Sequence, residues 1–217
     1  MRRLVLVCGV AELDVPGPVE RVPERPGKAA LDPLLSAHPG VPLVVAGTDA
    51  DLAAVVLRLL RKGKLADTAV GFVPVDPASA VARRWGLPTD PARATEVALG
   101  AEPRPVPLVR DDSGGVLVAS GTIGKVRGVA YCDDTVALRG TARSIEVWPD
   151  SEAGLRVRVR KGLLGREETF PARAFQIGCT PVKPSYDGVD HPRAVDRWTW
   201  YRHTEDLLLI REAARQA

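Results

Sequence analysis

The stretch VVAGTDADLAAVV, residues 44–56, runs from an apolar segment through a polar break with one glycine into an alanine- and leucine-rich segment that starts at an aspartate. It reads as strand, turn and helix, and many α/β folds hold a phosphate at such a turn. Working outwards, VPLVVAG (41–47) is expected to be a strand buried on both faces. DADLAAVVLRLLRKGKL (49–65) places Leu52, Val55, Val56, Leu59 and Leu60 at helical spacing, with Asp49 or Asp51 expected as its cap. RRLVLVCGV (2–10) reads as another buried strand, and DVPGPVERVPERPGK (14–28) is too rich in Pro and Gly for a regular element, so a surface loop is expected.

Downstream, TAVGFVPV (68–75) reads as a strand, PASAVARRWG (77–86) as a helix with Pro77 early, and TDPARATEVALGA (89–101) as a helix opened by Thr89 or Asp90. Strand and helix alternate, which defines an α/β first half. From about Val116 the period becomes two. GVLVASG, SIEVW, LRVRVR, ETFPARAFQIGC and DLLLIR are short alternating or apolar runs broken by Gly, Asp and Pro, the pattern of an antiparallel sheet or sandwich. The expected organisation is therefore α/β plus all-β: a Rossmann-like α/β domain over 1–125, then an antiparallel β-sandwich over 126–217, parting near residues 124–128.

Composition bounds the function. The chain has 217 residues, 45% hydrophobic and 26% charged, and its formal net charge of +3 is too small to argue for nucleic acid. No stretch is apolar for long enough to span a bilayer, and the start MRRLVLVCGVAELDV lacks a cleavage-like site, so a cytoplasmic protein is expected. Cys8, Cys132 and Cys179 are an odd, widely spaced set that suggests neither disulfides nor zinc, and His38, His191 and His203 show no metal-ligand spacing, so no metal site is expected. The excess of Arg over Lys, with abundant Ala, Val, Gly and Pro, fits GC-rich bacterial coding and carries no mechanism.

Laid on these motifs, the chain resembles the diacylglycerol kinase catalytic-domain family, lipid kinases related to NAD kinases, as a degenerate bacterial member. That family's first turn reads Gly-Gly-Asp-Gly-Thr. Here Gly47 and Asp49 match, while Thr48, Ala50 and Asp51 stand for the second glycine, the third glycine and the threonine. The second loop reads Pro-Leu-Gly-Thr-Gly-Asn-Asp-Phe-Ala in the family. Pro74 and Ala82 match, with Asp76, Pro77, Ala78, Ser79 and Ala80 between them. The likeness spans roughly residues 41–124, with a looser echo at ARAFQIGC and at Asp187-Gly188-Val189, which resembles an Asp-Gly-Glu signature without its acid.

The resemblance implies a cleft between the two halves as the ancestral active site, with Gly47, Thr48, Asp49 and Ser79 as candidates for nucleotide. Ser120, Thr122 and Asp187 are further cleft candidates; the catalytic residues are not named by it. If active, such a protein would move the ATP γ-phosphoryl group to a lipid hydroxyl with Mg²⁺. Cβ atoms at glycine positions block close approach of a phosphate, Asp76 sets a negative charge towards it, and Pro77 removes a donor. Three functions follow as expectations. The first is a kinase-like protein that binds a ligand or partner without efficient transfer; the rivals are an active ATP-dependent lipid kinase and an interaction protein with a closed cleft.

Other residues carry two readings each. Asp49 is a helix cap or a ligand for Mg²⁺ or ATP, the cap coming first because aspartate is a leading cap residue. Arg156, Arg158 and Arg160 share one strand face, opposite Leu155, Val157 and Val159. That face is either simply solvated or an anion site for a lipid headgroup, which would set the protein peripheral to the inner membrane face. Trp198 and Trp200 share a side of RWTWYRH and either dock a protein partner or cap a core. GTIGKVRG, with Lys125 and Arg127, lacks phosphate-loop spacing.

Overall fold

The computed structural model describes residues 3–11, 19–162 and 166–213. The chain forms two compact units. Unit 1 comprises residues 1–106 and 205–217, and unit 2 residues 107–204.

Unit 1 begins with β1 (Leu4–Cys8), β2 (Val19–Val22), α1 (Lys28–Ala37), β3 (Leu43–Gly47), α2 (Asp49–Arg61), β4 (Val70–Pro74), α3 (Ala80–Trp85) and α4 (Pro91–Gly100). β1, β3 and β4 are buried along their whole length, as their continuous apolar runs require of central parallel strands. The pairing is parallel throughout: Val5 lies opposite Val19 and Val44, and Val44 opposite Gly71. The order is β2-β1-β3-β4. The chain thus leaves β1 to one side for β2 and returns to the other side for β3, which puts the switch point at the carboxyl ends of β1 and β3.

α2 buries Leu52, Ala53, Val55, Val56 and Leu59. It is tied to α1 by Arg58, whose guanidinium donates to both oxygens of Asp32 at 2.6 Å. α4 lies against β4 where Gly71 has no side chain: a Cβ there would meet the Ala98 Cβ and carbonyl oxygen at 2.9 Å.

Unit 2 is built from antiparallel strands. After β5 (Pro103–Asp111) come β6 (Val116–Leu117), β7 (Gly121–Ile123), β8 (Val126–Cys132), β9 (Thr135–Asp150), β10 (Gly154–Lys161), β11 (Arg166–Ala172), β12 (Ala174–Val182), β13 (Ser185–Tyr186), β14 (Val189–Asp190) and β15 (Val195–Ile210). β9 serves two partner sets: its first half pairs with β8, and its second with β10 and β7. Gly140, at φ +117, lies opposite Gly128 within the β8 ladder in a conformation that favours glycine. One apolar core includes Ile145, Val147, Val157, Phe175, Trp198 and Trp200.

The structure departs from the sequence expectations at definite places. The units part at 106/107 and 204/205 and not near 124–128. DLLLIR is the reason at the far end: its buried period matches a sandwich strand, but Leu209 pairs parallel with Val70 and completes unit 1. β15 therefore belongs to unit 2 up to Thr204 and to unit 1 beyond it. At the near end Pro103, Pro105 and Pro107 suppress a strand signal over β5. ETFPARAFQIGC is two strands and not one, broken at Arg173. In the expected loop 14–28, Val19–Val22 is a parallel strand; the part over 12–18 lies outside the described residues.

Trp198 and Trp200 are 2% and 0% exposed, so neither offers a docking surface; they meet edge to face with centroids 5.7 Å apart and fill the core of unit 2. Leu155, Val157 and Val159 are buried, as alternation predicts. The opposing arginines are paired: Arg156 with Asp150 at 2.7 Å, Arg158 with Glu146 at 2.6 Å, and Arg160 with Glu167 at 2.8 Å.

Two measurements test this packing. Gly71→Ala should cost about 1–3 kcal/mol, because a backbone-contacting Cβ cannot be accommodated by a rotamer change. Urea unfolding of this variant should show a lowered midpoint with an unchanged m-value. Asp150 supplies a pH test. Partial burial pushes its carboxyl up, but the Ala153 N–H and the Arg156 guanidinium outweigh that and hold it below its ordinary value. A depressed folded value means that its contribution is complete above the unfolded pKa of about 3.9 and is lost as pH falls below that, through the folded value. The stability gap between wild type and Asp150→Asn should therefore be flat from neutral pH to about 4 and shrink in stronger acid.

Candidate functional site

The turn at the switch point is built around a buried carboxylate. Asp51 is 2% exposed and accepts hydrogen bonds from the Thr48 N–H at 2.8 Å, the Thr48 hydroxyl at 2.8 Å and the Arg25 N–H at 2.6 Å. In return the Thr48 Oγ1 accepts from the Asp51 N–H at 3.2 Å, which closes a capping box. The N-cap of α2 is thus Thr48; of the two aspartates expected to cap it, Asp51 takes part as the third-position partner of the box and Asp49 does not. Gly47 is needed because a Cβ there would meet the Asp51 Oδ2 at 2.7 Å. Arg25 lies at φ +45, a conformation disfavoured for a side chain with a Cβ, with its N–H held by Asp51.

Asp49, next along the turn, caps a helix other than its own. Its carboxylate accepts from the Ser79 hydroxyl, from the Ala80 N–H at 2.7 Å and from the Val81 N–H at 3.3 Å, at the start of α3. Ser79 is the N-cap of α3, its Oγ accepting from the Ala82 N–H at 3.0 Å. α3 begins at Ala80, so Pro77 lies before it and not in its first turn. Gly47, Thr48, Asp49 and Ser79 are therefore brought together, joined by protein carboxylates. Cys8, at the end of β1, has its thiol pushed up to about 12 by burial and by the nearby charge of Asp51, so it stays protonated.

Beside this turn the carboxyl end of the sheet carries a cleft of about 290 Å³, lined by Val10, Ala46, Val73, Pro74, Val75 and Pro91 among others. Its wall is apolar, and Val10 is 91% exposed. Among the described residues no group of His, Cys, Asp or Glu is arranged to hold a metal.

The other candidates lie in unit 2. Asp187 is 2% exposed and accepts from the N–H groups of Val118, Ala119 and Ser120 at 2.7, 2.8 and 3.0 Å, while its own N–H donates to the Ser120 carbonyl. Asp187 and Gly188 both have positive φ between the paired Tyr186 and Val189, as a two-residue hairpin turn requires. The Asp-Gly dipeptide is the signal that announces such a turn. Thr122 shares a hydrogen bond with Ser185 at 2.6 Å. Ser120, Thr122 and Asp187 thus share one neighbourhood, where the carboxylate of Asp187 holds the loop over 118–120. Lys125 and Arg127 are exposed.

In fold the chain is like diacylglycerol kinases and NAD kinases of known structure. The chain is similar to the crystal structure of a diacylglycerol kinase from Bacillus anthracis str. Sterne, with a TM-score of 0.71 and 12% identity over 97% of each chain. It is also similar to an NAD kinase from Archaeoglobus fulgidus in complex with ATP, with a TM-score of 0.54 and 11% identity, covering 97% of this chain and 94% of that one. At such identities the likeness is one of fold. No protein-family model and no curated protein sequence matches the chain.

Removing the Asp51 carboxylate breaks the capping box and leaves two backbone donors unsatisfied. Asp51→Ala should destabilise the protein by about 2–4 kcal/mol, measurable by urea unfolding. Asp51→Ala should also speed alkylation of Cys8 in the folded protein, since one cause of its raised pKa is gone.

Proposed function

We propose that the chain is a diacylglycerol-kinase-like protein whose phosphate turn is closed by its own carboxylates, and that it binds a ligand without efficient phosphoryl transfer. The observation that carries this reading is the Asp51 carboxylate, which takes the Thr48 and Arg25 N–H groups. A phosphate seeking these donors would have to displace a buried carboxylate and then sit beside it. At 4 Å two such charges repel by about 4 kcal/mol at the effective dielectric of a protein surface. Asp49 offers no remedy through Mg²⁺, because both of its oxygens already accept hydrogen bonds at the start of α3. The residues of this turn do not fit a triphosphate with its metal.

The ligand that suits the neighbouring cleft is apolar, since Val10, Val73 and Val75 offer contact area and no charge. A lipid chain meets that description and would bring the protein to a membrane face from outside, for no helix among the described residues is long and apolar enough to cross one. In this reading the antiparallel unit corresponds to the sandwich half of the lipid kinases. The rival reading, a working ATP-dependent lipid kinase, is favoured by one observation: a structure of similar fold is in complex with ATP.

Titration calorimetry with ATP, with and without Mg²⁺, separates the two. The proposal expects no Mg²⁺-dependent heat at millimolar nucleotide and no change in Asp49→Ala. Micromolar binding that needs Mg²⁺ and is lost in Asp49→Ala would establish the kinase reading instead, with a lipid phosphorylation assay to follow.

A further inference from the structure

We propose that unit 1 carries a second site, between Arg104 and Arg211, that binds a phosphate-type anion borne by a small polar molecule or a lipid headgroup. The site is a cleft of about 500 Å³ bordered by α4, the start of β5 and the residues after β15. It shares no lining residue with the apolar cleft at the sheet's carboxyl end.

The charges along this cleft sort into those already satisfied and those left over. Arg93 pairs with Glu96 at 2.5 Å and with Glu212, so both acids are neutralised within the protein. Glu102 lies close enough to Arg3 to act on its charge. Arg104 and Arg211 remain. Among the described residues neither takes part in an ion pair, and the Arg211 Nε is buried without a hydrogen-bond partner. Burial, and then the positive charge of Arg104, pull the Arg211 guanidinium below its ordinary value. The arrangement is costly as it stands, because like charges face each other and a buried donor is unmet.

An anion in the cleft offsets the repulsion between the two guanidinium groups. Each guanidinium presents a planar fork of donors that matches phosphate and carboxylate oxygens. A phosphate offers more oxygens and more charge than a single carboxylate, and so answers two positive groups more fully. The cleft is larger than phosphate alone requires and falls within the size of small-molecule sites, so the phosphate has room for a polar body.

The test is titration calorimetry of the full chain with inorganic phosphate and with glycerol phosphate, alongside cosedimentation with phosphatidylcholine vesicles with and without phosphatidic acid. Saturable binding is expected, weakened at least about tenfold in Arg104→Gln and in Arg211→Gln, the loss of one charge-assisted contact. It should persist in Asp49→Ala. Soluble probes that bind identify a free phosphate ester as the source, and binding confined to phosphatidic acid vesicles identifies a headgroup. Arg104 is exposed, so its variant stays folded and informative even where Arg211→Gln lowers stability. The proposal is overturned by no saturable binding to any probe, by binding that survives the double arginine variant, or by binding abolished in Asp49→Ala alone.

Discussion

A carboxylate taken out of water must be met by donors, and at the switch point of unit 1 the surrounding chain is arranged to meet one. Asp51 determines its neighbours. Thr48 must be a residue with a hydroxyl, Gly47 must lack a Cβ, and the backbone at Arg25 must turn its N–H inwards at positive φ. The glycine of this turn therefore makes room for a carboxylate of the same chain. In a phosphate-binding turn the same freedom lets an external anion approach. The local structures are nearly interchangeable; what differs is the owner of the charge.

The same device recurs across the chain. Asp187 collects three consecutive N–H groups, Asp111 accepts from the Ser113 and Gly115 N–H groups, and Asp133 from those of Arg173 and Ala174. Each holds a turn whose amides would otherwise lack partners, a role for which a short acidic side chain is well suited. Aspartates are the acids that hold backbone here, whereas glutamates such as Glu146 and Glu167 pair with arginines. Among the described residues Arg104 and Arg211 take part in no such pair.

Much of the fold was legible in the sequence because burial on both faces leaves a plain trace. LVLVC, LVVAG and VGFVP are continuous apolar runs, and each is a wholly buried parallel strand. What failed was hidden by proline: β2 sits just before Pro23, α1 contains Pro33, and β5 holds three prolines on a strand. Alternation placed Trp198 and Trp200 on one face, but period alone cannot say whether that face is core or surface. The site was half legible. Sequence marks Asp49 and Asp51 as acids beside a glycine turn, yet their partners at Ala80 and Arg25 lie 31 and 26 residues away. Only the folded chain decides which aspartate meets which amide.

β15 also fixes an order of events at the ribosome. Unit 2 is one continuous stretch of chain and has all its strands once Thr204 has emerged. Unit 1 starts before unit 2 in synthesis and is completed after it, since the segment that sets Leu209 beside Val70 follows unit 2 along the chain. Its parallel sheet must wait, with the flank of β4 uncovered, while unit 2 is made. The unit that starts before the other is in this sense the unit completed after it.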